Sequence, residues 1–134
     1  MAKHLAILNR VAAEAIFSGK KKVEGRFSQI KIAPFGKVGR GDSVLMKVSG
    51  EDISGQFLVD RVFYFDHPTV DEVEYIKKRY GKQLALPSSF WIGKDTINYI
   101  TLMFIKSAGK FIIAPQVKKK DLRPWVVLDT TNFP

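Results

Sequence analysis

The hydrophobic period of the chain changes at Gly19, and that change decides what kind of fold is open to it. Before it, Leu5, Leu8, Ala12, Ala15 and Ile16 fall on one helical face with Val11 beside them, while Asn9, Arg10 and Glu14 mark the polar side. Residues 4–17 therefore read as an amphipathic helix. Gly19 supplies the stop, because a glycine just past the last turn takes the left-handed conformation at little cost. From there the period is two. Val23, Gly25 and Phe27 point one way, and Lys22, Glu24, Arg26 and Ser28 the other.

The rest of the chain keeps the strand period, with one interruption. Residues 33–42 form a glycine- and proline-rich loop. Strands follow at 43–48 and 53–65, joined by a turn at Gly50–Asp52 into a hairpin, with Gly55 as a bulge or bend. Thr69 and Glu72 have capping-box spacing and start a second helix, whose stripe is Val70, Val73, Ile76 and Tyr80 and whose stop is Gly81. Lys77, Lys78 and Arg79 suit the dipole near its end. Residues 86–96 are irregular. Residues 97–105 and 110–114 read as a hairpin about Ser107-Ala108-Gly109, 118–123 as a basic loop and 125–128 as a last strand, with Trp125 in the core. This predicts an α+β, mainly β domain over residues 1–134, with its core at about 5–128 and a loose tail at 129–134. Many short strands, mostly antiparallel, close most readily into a small barrel of about six strands flanked by two or more helices.

A chain of 134 residues with 46% hydrophobic residues can bury a core without staples. It has no cysteine and only two histidines, His4 and His67, so thiolate chemistry, iron–sulfur clusters and multi-histidine metal sites are not expected, nor is a cofactor. His67 precedes Pro68 and reads as a turn residue. No signal-peptide core or membrane-length apolar run is present, which suggests a cytoplasmic protein without a membrane partner. The charge is the unusual feature. The net charge is +9, and residues 1–40 carry nine basic groups against Glu14 and Glu24. A one-sided basic surface attracts polyanions, among which RNA or a nucleotide is the expected partner and an acidic protein the other.

Gly19-Lys20-Lys21-Lys22-Val23-Glu24-Gly25-Arg26 fits the pattern G-x-K-x-x-E-x-R at a helix-to-strand junction. With the preceding helix, the Gly41-Asp42 turn and the barrel-like strand order, it resembles the signature of the ASCH domain, a branch of the PUA-like superfamily. The resemblance spans roughly residues 5–128. It implies a β-barrel of about six strands with a cleft beside the motif, and RNA binding or action on modified nucleosides. It also implies that Gly19 shapes the turn and that Lys21, Glu24 and Arg26 line the cleft. One branch resembling this family hydrolyses the acetyl amide of N4-acetylcytidine, with a threonine where Glu24 stands here. Ser18 and Ser28 are misplaced to replace it, Glu72 is committed to capping, and Glu74 is the other distant carboxylate. Lys21 and Glu24 are the candidates if the cleft is catalytic, as amidohydrolase or nuclease.

The residue chemistry agrees with binding. Lys21 is a point charge, and Arg26 is a planar fork for phosphate or a base edge that Glu24, two residues away on the same face, can orient. A Lys/Glu/Arg trio on a strand face is otherwise a solvated ladder of small value. Lys20, Lys22, Lys37 and Arg40 are candidates to track a nucleic-acid backbone, and Trp91, next to Phe90, to stack on a base. Lys118-Lys119-Lys120 with Arg123 is a second basic cluster.

Overall fold

In a computed structural model, residues 1–93, 96–118 and 123–134 are described. Six strands, β1 (Lys3–Leu8), β2 (Val23–Ser28), β3 (Ser43–Val48), β4 (Ile53–Asp66), β5 (Tyr99–Lys110) and β6 (Trp125–Leu128), form one sheet. Its order is β2-β5-β4-β3-β1-β6. Every pairing is antiparallel except β1 with β3. The sheet curls into a half-barrel carrying two helices, α1 (Arg10–Phe17) and α2 (Val70–Leu84). Its mainly β, α+β class is the one expected. Among the described residues no helix is long and apolar enough to cross a membrane.

The first helix is shorter than its periodicity suggests. Residues 3–8 are strand β1, wedged between β3 and β6, with His4, Leu5, Ala6 and Leu8 all buried. A strand covered on both faces loses its alternation and can mimic a helical stripe. Asn9 separates the two elements, its side-chain oxygen accepting from the Ala12 N–H at 2.7 Å as the cap of α1.

The second helix runs past Gly81 to Leu84 and ends at Ala85, whose φ is 52°. Ile76, Tyr80 and Leu84 recur every four residues and pack with Val23, Ile100 and Leu102. Burying Leu84 is worth about 2 kcal/mol, which outweighs the ~1 kcal/mol cost of an interior glycine. The capping box of Thr69 and Glu72 forms, with bonds of 2.9 and 3.1 Å.

The hairpin expected over residues 97–114 is one long strand instead. β5 pairs along β4 from Tyr99 opposite Asp66 to Lys110 opposite Gly55, with two register shifts. The 14-residue β4 offers β5 a continuous ladder, and Ser107, at φ 52°, absorbs an irregularity within the strand rather than reversing it. At Gly55 a Cβ would lie 2.3 Å from the Gly109 carbonyl and 2.6 Å from Phe17. Gly55→Ala should therefore cost about 3 kcal/mol, at the upper end of overpacking, measurable as a lowered urea midpoint. An unchanged midpoint would show that β4 and β5 can part there. Residues 129–134, read above as a loose tail, include a turn at Thr130–Asn132, and the Asn132 amide donates to the Lys118 carbonyl at 2.7 Å.

Candidate functional site

The turn between α1 and β2 places the motif. Gly19 has φ 82°, in the left-handed region that favours glycine, and the Lys21 N–H donates to the Ala15 carbonyl at 2.9 Å. The chain then enters β2 beside the end of α2, where the Lys22 N–H donates to the Gln83 carbonyl at 2.8 Å. Gly25 makes that approach possible, since a Cβ there would lie 2.8 Å from the Leu84 side chain.

The trio is assembled, but inside the protein. Lys21 Nζ donates to the Leu84 carbonyl oxygen and lies 3.6 Å from Glu24 Oε1. Arg26 Nη2 lies 3.5 Å from Glu24 Oε2, donates to the Ile7 carbonyl at 3.1 Å and stacks 5.1 Å over the Trp125 ring. Side-chain exposure is 2% for Lys21, 5% for Glu24 and 20% for Arg26. Burial pushes the Lys21 ammonium below its ordinary value, Glu24 opposes this, and Arg26 adds to it.

Among the described residues, three cavities border this chain of charges. The largest, about 660 Å3, lies between the start of α1 and the end of α2. Its charged lining is Lys20, Lys21 and Lys82, its walls include Val11, Ala12, Leu86 and Pro87, and Asn9 opens it. A second, of about 330 Å3, is lined by Ser18, Gly19, Lys21 and Lys22 against Ser107. Arg26 instead reaches a small cavity of about 140 Å3 with Pro34, Phe35 and Trp125. Glu24 lies between, holding both cations.

The other candidates divide. Lys20 and Lys22 are exposed beside Lys21. Lys37 and Arg40 are exposed on the 33–42 loop and line none of these three cavities. Trp91 faces a separate cavity of about 340 Å3 with Glu74. Glu72 is held in its capping box, and the Ser18 and Ser28 hydroxyls donate to the Ala15 and Ile30 carbonyls. Lys118 is exposed, while Lys119 and Lys120 lie outside the described residues.

Two features escaped the sequence reading. Lys82 joins the lysine cleft from α2, and only the extension of that helix past Gly81 places it there. The other is a buried relay behind Arg26. Trp125 Nε1–H donates to His4 Nδ1 at 3.1 Å, so His4 carries its proton on Nε2 and donates it to Asp42 Oδ2 at 2.9 Å. Asp42 also accepts from the Gly39 and Ala2 N–H groups, each at 2.9 Å. Both ring nitrogens of His4 are used and the residue is 0% exposed, so this pair positions the 33–42 loop and is no general base.

No family model matches the sequence, and no curated protein matches it. Solved structures do. The ASCH protein of Zymomonas mobilis superposes with a TM-score of 0.67 at 15% identity, covering 97% of this chain and 90% of that one. Two single-substitution variants of that protein give TM-scores of 0.67 and 0.64, each at 15% identity and 97% coverage of this chain, with 92% and 90% of theirs. The chain folds as an ASCH domain.

Proposed function

We propose that this ASCH module binds RNA or a modified nucleotide in the lysine cleft. The observation that carries the reading is the cleft's lining. Its volume of about 660 Å3 falls in the range of ligand sites. Among the described residues its charged groups are all cations, and the first turn of α1, the positive end of a helix dipole, opens onto it. Lysines of this kind hold phosphates, and the apolar wall of Val11, Leu86 and Pro87 suits a base or sugar. Binding rather than turnover is favoured because Lys21 and Glu24 neutralise each other in the interior, and Glu74 faces a different cavity.

Two phosphate contacts to a single strand, from Lys20 and Lys82, give a salt slope near −1.4, so raising salt from 50 to 200 mM should weaken binding about 7-fold. The double variant Lys20→Ala/Lys82→Ala should remove most of that slope. Fluorescence anisotropy with labelled single-stranded RNA reads both. Affinity indifferent to salt and to the double variant would overturn the reading. Equal displacement by heparin and by unlabelled RNA would point instead to a generic polyanion surface, such as one for an acidic protein.

A further inference from the structure

We propose that the cavity between the first half of α2 and Trp91 is a base subsite selective for guanine, joined to the lysine cleft by Lys78. The inference rests on the RNA reading above. The cavity holds about 340 Å3, and among the described residues its lining includes Val70, Val73 and Ile97, the Trp91 indole and one charged side chain, Glu74. Trp91 is a fixed wall, held by edge contacts to Phe27 at 5.9 Å and Phe90 at 5.2 Å. Glu74 repels phosphate, and Asp71 and Glu72 in the first turn of α2 add to that repulsion. An apolar slot with one aromatic wall and one carboxylate therefore takes a base and leaves the backbone outside.

The carboxylate selects which base. Ionised Glu74 offers two acceptors and no donor. Guanine presents two adjacent donors on its pairing edge, the ring N1–H and the exocyclic N2 amino group, and can satisfy both oxygens. Adenine and cytosine set their amino group beside an acceptor nitrogen, and uracil flanks its N–H with carbonyls, so each leaves an acceptor facing the carboxylate.

The placement along α2 links this slot to the cleft. Glu74, Lys78 and Lys82 recur every four residues on one exposed face of the helix. Lys82 lines the lysine cleft and Glu74 the slot. The eight residue steps from one to the other span about 12 Å, three to four nucleotides at the ~3.4 Å rise of one stacked strand. Lys78 stands midway for a phosphate.

The test is anisotropy with octauridylate in which a single guanine is moved through the sequence. At one register guanine should tighten binding about tenfold, within the range of a bidentate base contact. Inosine, which lacks the N2 amino group, should lose most of that gain, and the exposed-site variant Glu74→Gln should abolish it. Trp91→Phe, which keeps an aromatic wall, should retain part. Binding that needs Lys20 and Lys82 but ignores guanine, or a gain equal for adenine and guanine, overturns the subsite alone. A guanine gain untouched by Glu74→Gln also overturns it. No binding by any oligonucleotide overturns both readings.

Discussion

Glu24→Ala is expected to lower the unfolding free energy by about 3–5 kcal/mol, the cost of removing one partner from a buried ion pair. For a chain of this size that is a fall of roughly 10–18 °C in Tm. The carboxylate lies 3.6 Å from the Lys21 ammonium and 3.5 Å from the Arg26 guanidinium. Arg26 keeps partial access to water and the Ile7 carbonyl. Lys21, 2% exposed, has little access to water and, among the described residues, no second carboxylate to turn to, only the Leu84 carbonyl. Lys21→Met should cost less, because it removes the stranded charge while Glu24 retains Arg26. Lys21→Met/Glu24→Ala should then fall well short of the sum of its parts, since the main penalty of Glu24→Ala is the ammonium that the double variant lacks.

The same pair sets a pH dependence. Burial holds Lys21 below its ordinary 10.5 in the folded protein. The unfolded chain therefore binds more protons at this site as pH approaches 10.5, and stability contributed by the site rises with pH in that window. Wild type should gain on Lys21→Met in urea melts as pH rises toward 10.5. A constant difference across that range would show that Lys21 is not desolvated. The charges thus act first as a clasp between β2 and the end of α2, and that clasp gives the lysine cleft its floor.

How much of this was legible depends on whether neighbours in sequence decide it. The alternation from Val23 to Ser28 is local, so β2 and its Lys/Glu/Arg face could be read directly. Its depth could not. A polar strand face looks the same in sequence whether water or a helix covers it, and the covering residue, Leu84, lies sixty-three positions after Lys21. β1 was lost to the same ambiguity: His4 to Leu8 fits two periods, and only the Asn9 cap separates them. Lys82 depended on α2 overriding Gly81, which is a packing outcome of Ile76, Tyr80 and Leu84. The second half of β5 likewise follows from the length of β4 rather than from its own glycine and serine.

Asp42→Ala is the second large effect, again about 3–5 kcal/mol, and it reaches the fold by another route. The substitution strands three donors at once: His4 Nε2–H and the backbone N–H groups of Gly39 and Ala2. Each loses a charge-assisted bond of about 1.5–3 kcal/mol, partly recovered where water can enter. His4 is fully buried under Trp125 and has no such recourse. The relay matters for the site because Trp125 is the ring on which Arg26 rests. Besides the backbone bonds of Gly41 and Asp42 to Val59, the 33–42 loop is fastened by the Asp42 side chain and by Tyr64, whose hydroxyl accepts from the Val38 N–H at 2.8 Å. Loss of Asp42 should leave the Tyr64 fastening in place, so hydrogen exchange should rise at Gly39 and Ala2 more than at Val38. The acid limb supplies a separate check. Burial raises the Asp42 carboxyl, but the bonds from His4, Gly39 and Ala2 outweigh it and hold the group below 3.8. Its contribution is therefore complete above 3.8 and is lost as pH falls through the lower folded value. Asp42→Asn, which keeps the shape and an acceptor but not the charge, should be less stable than wild type at neutral pH and converge on it as pH falls below 3.8 through the lowered folded value. If the two instead ran parallel down to acid unfolding, the relay would be held by shape alone and the charge of Asp42 would contribute nothing to it.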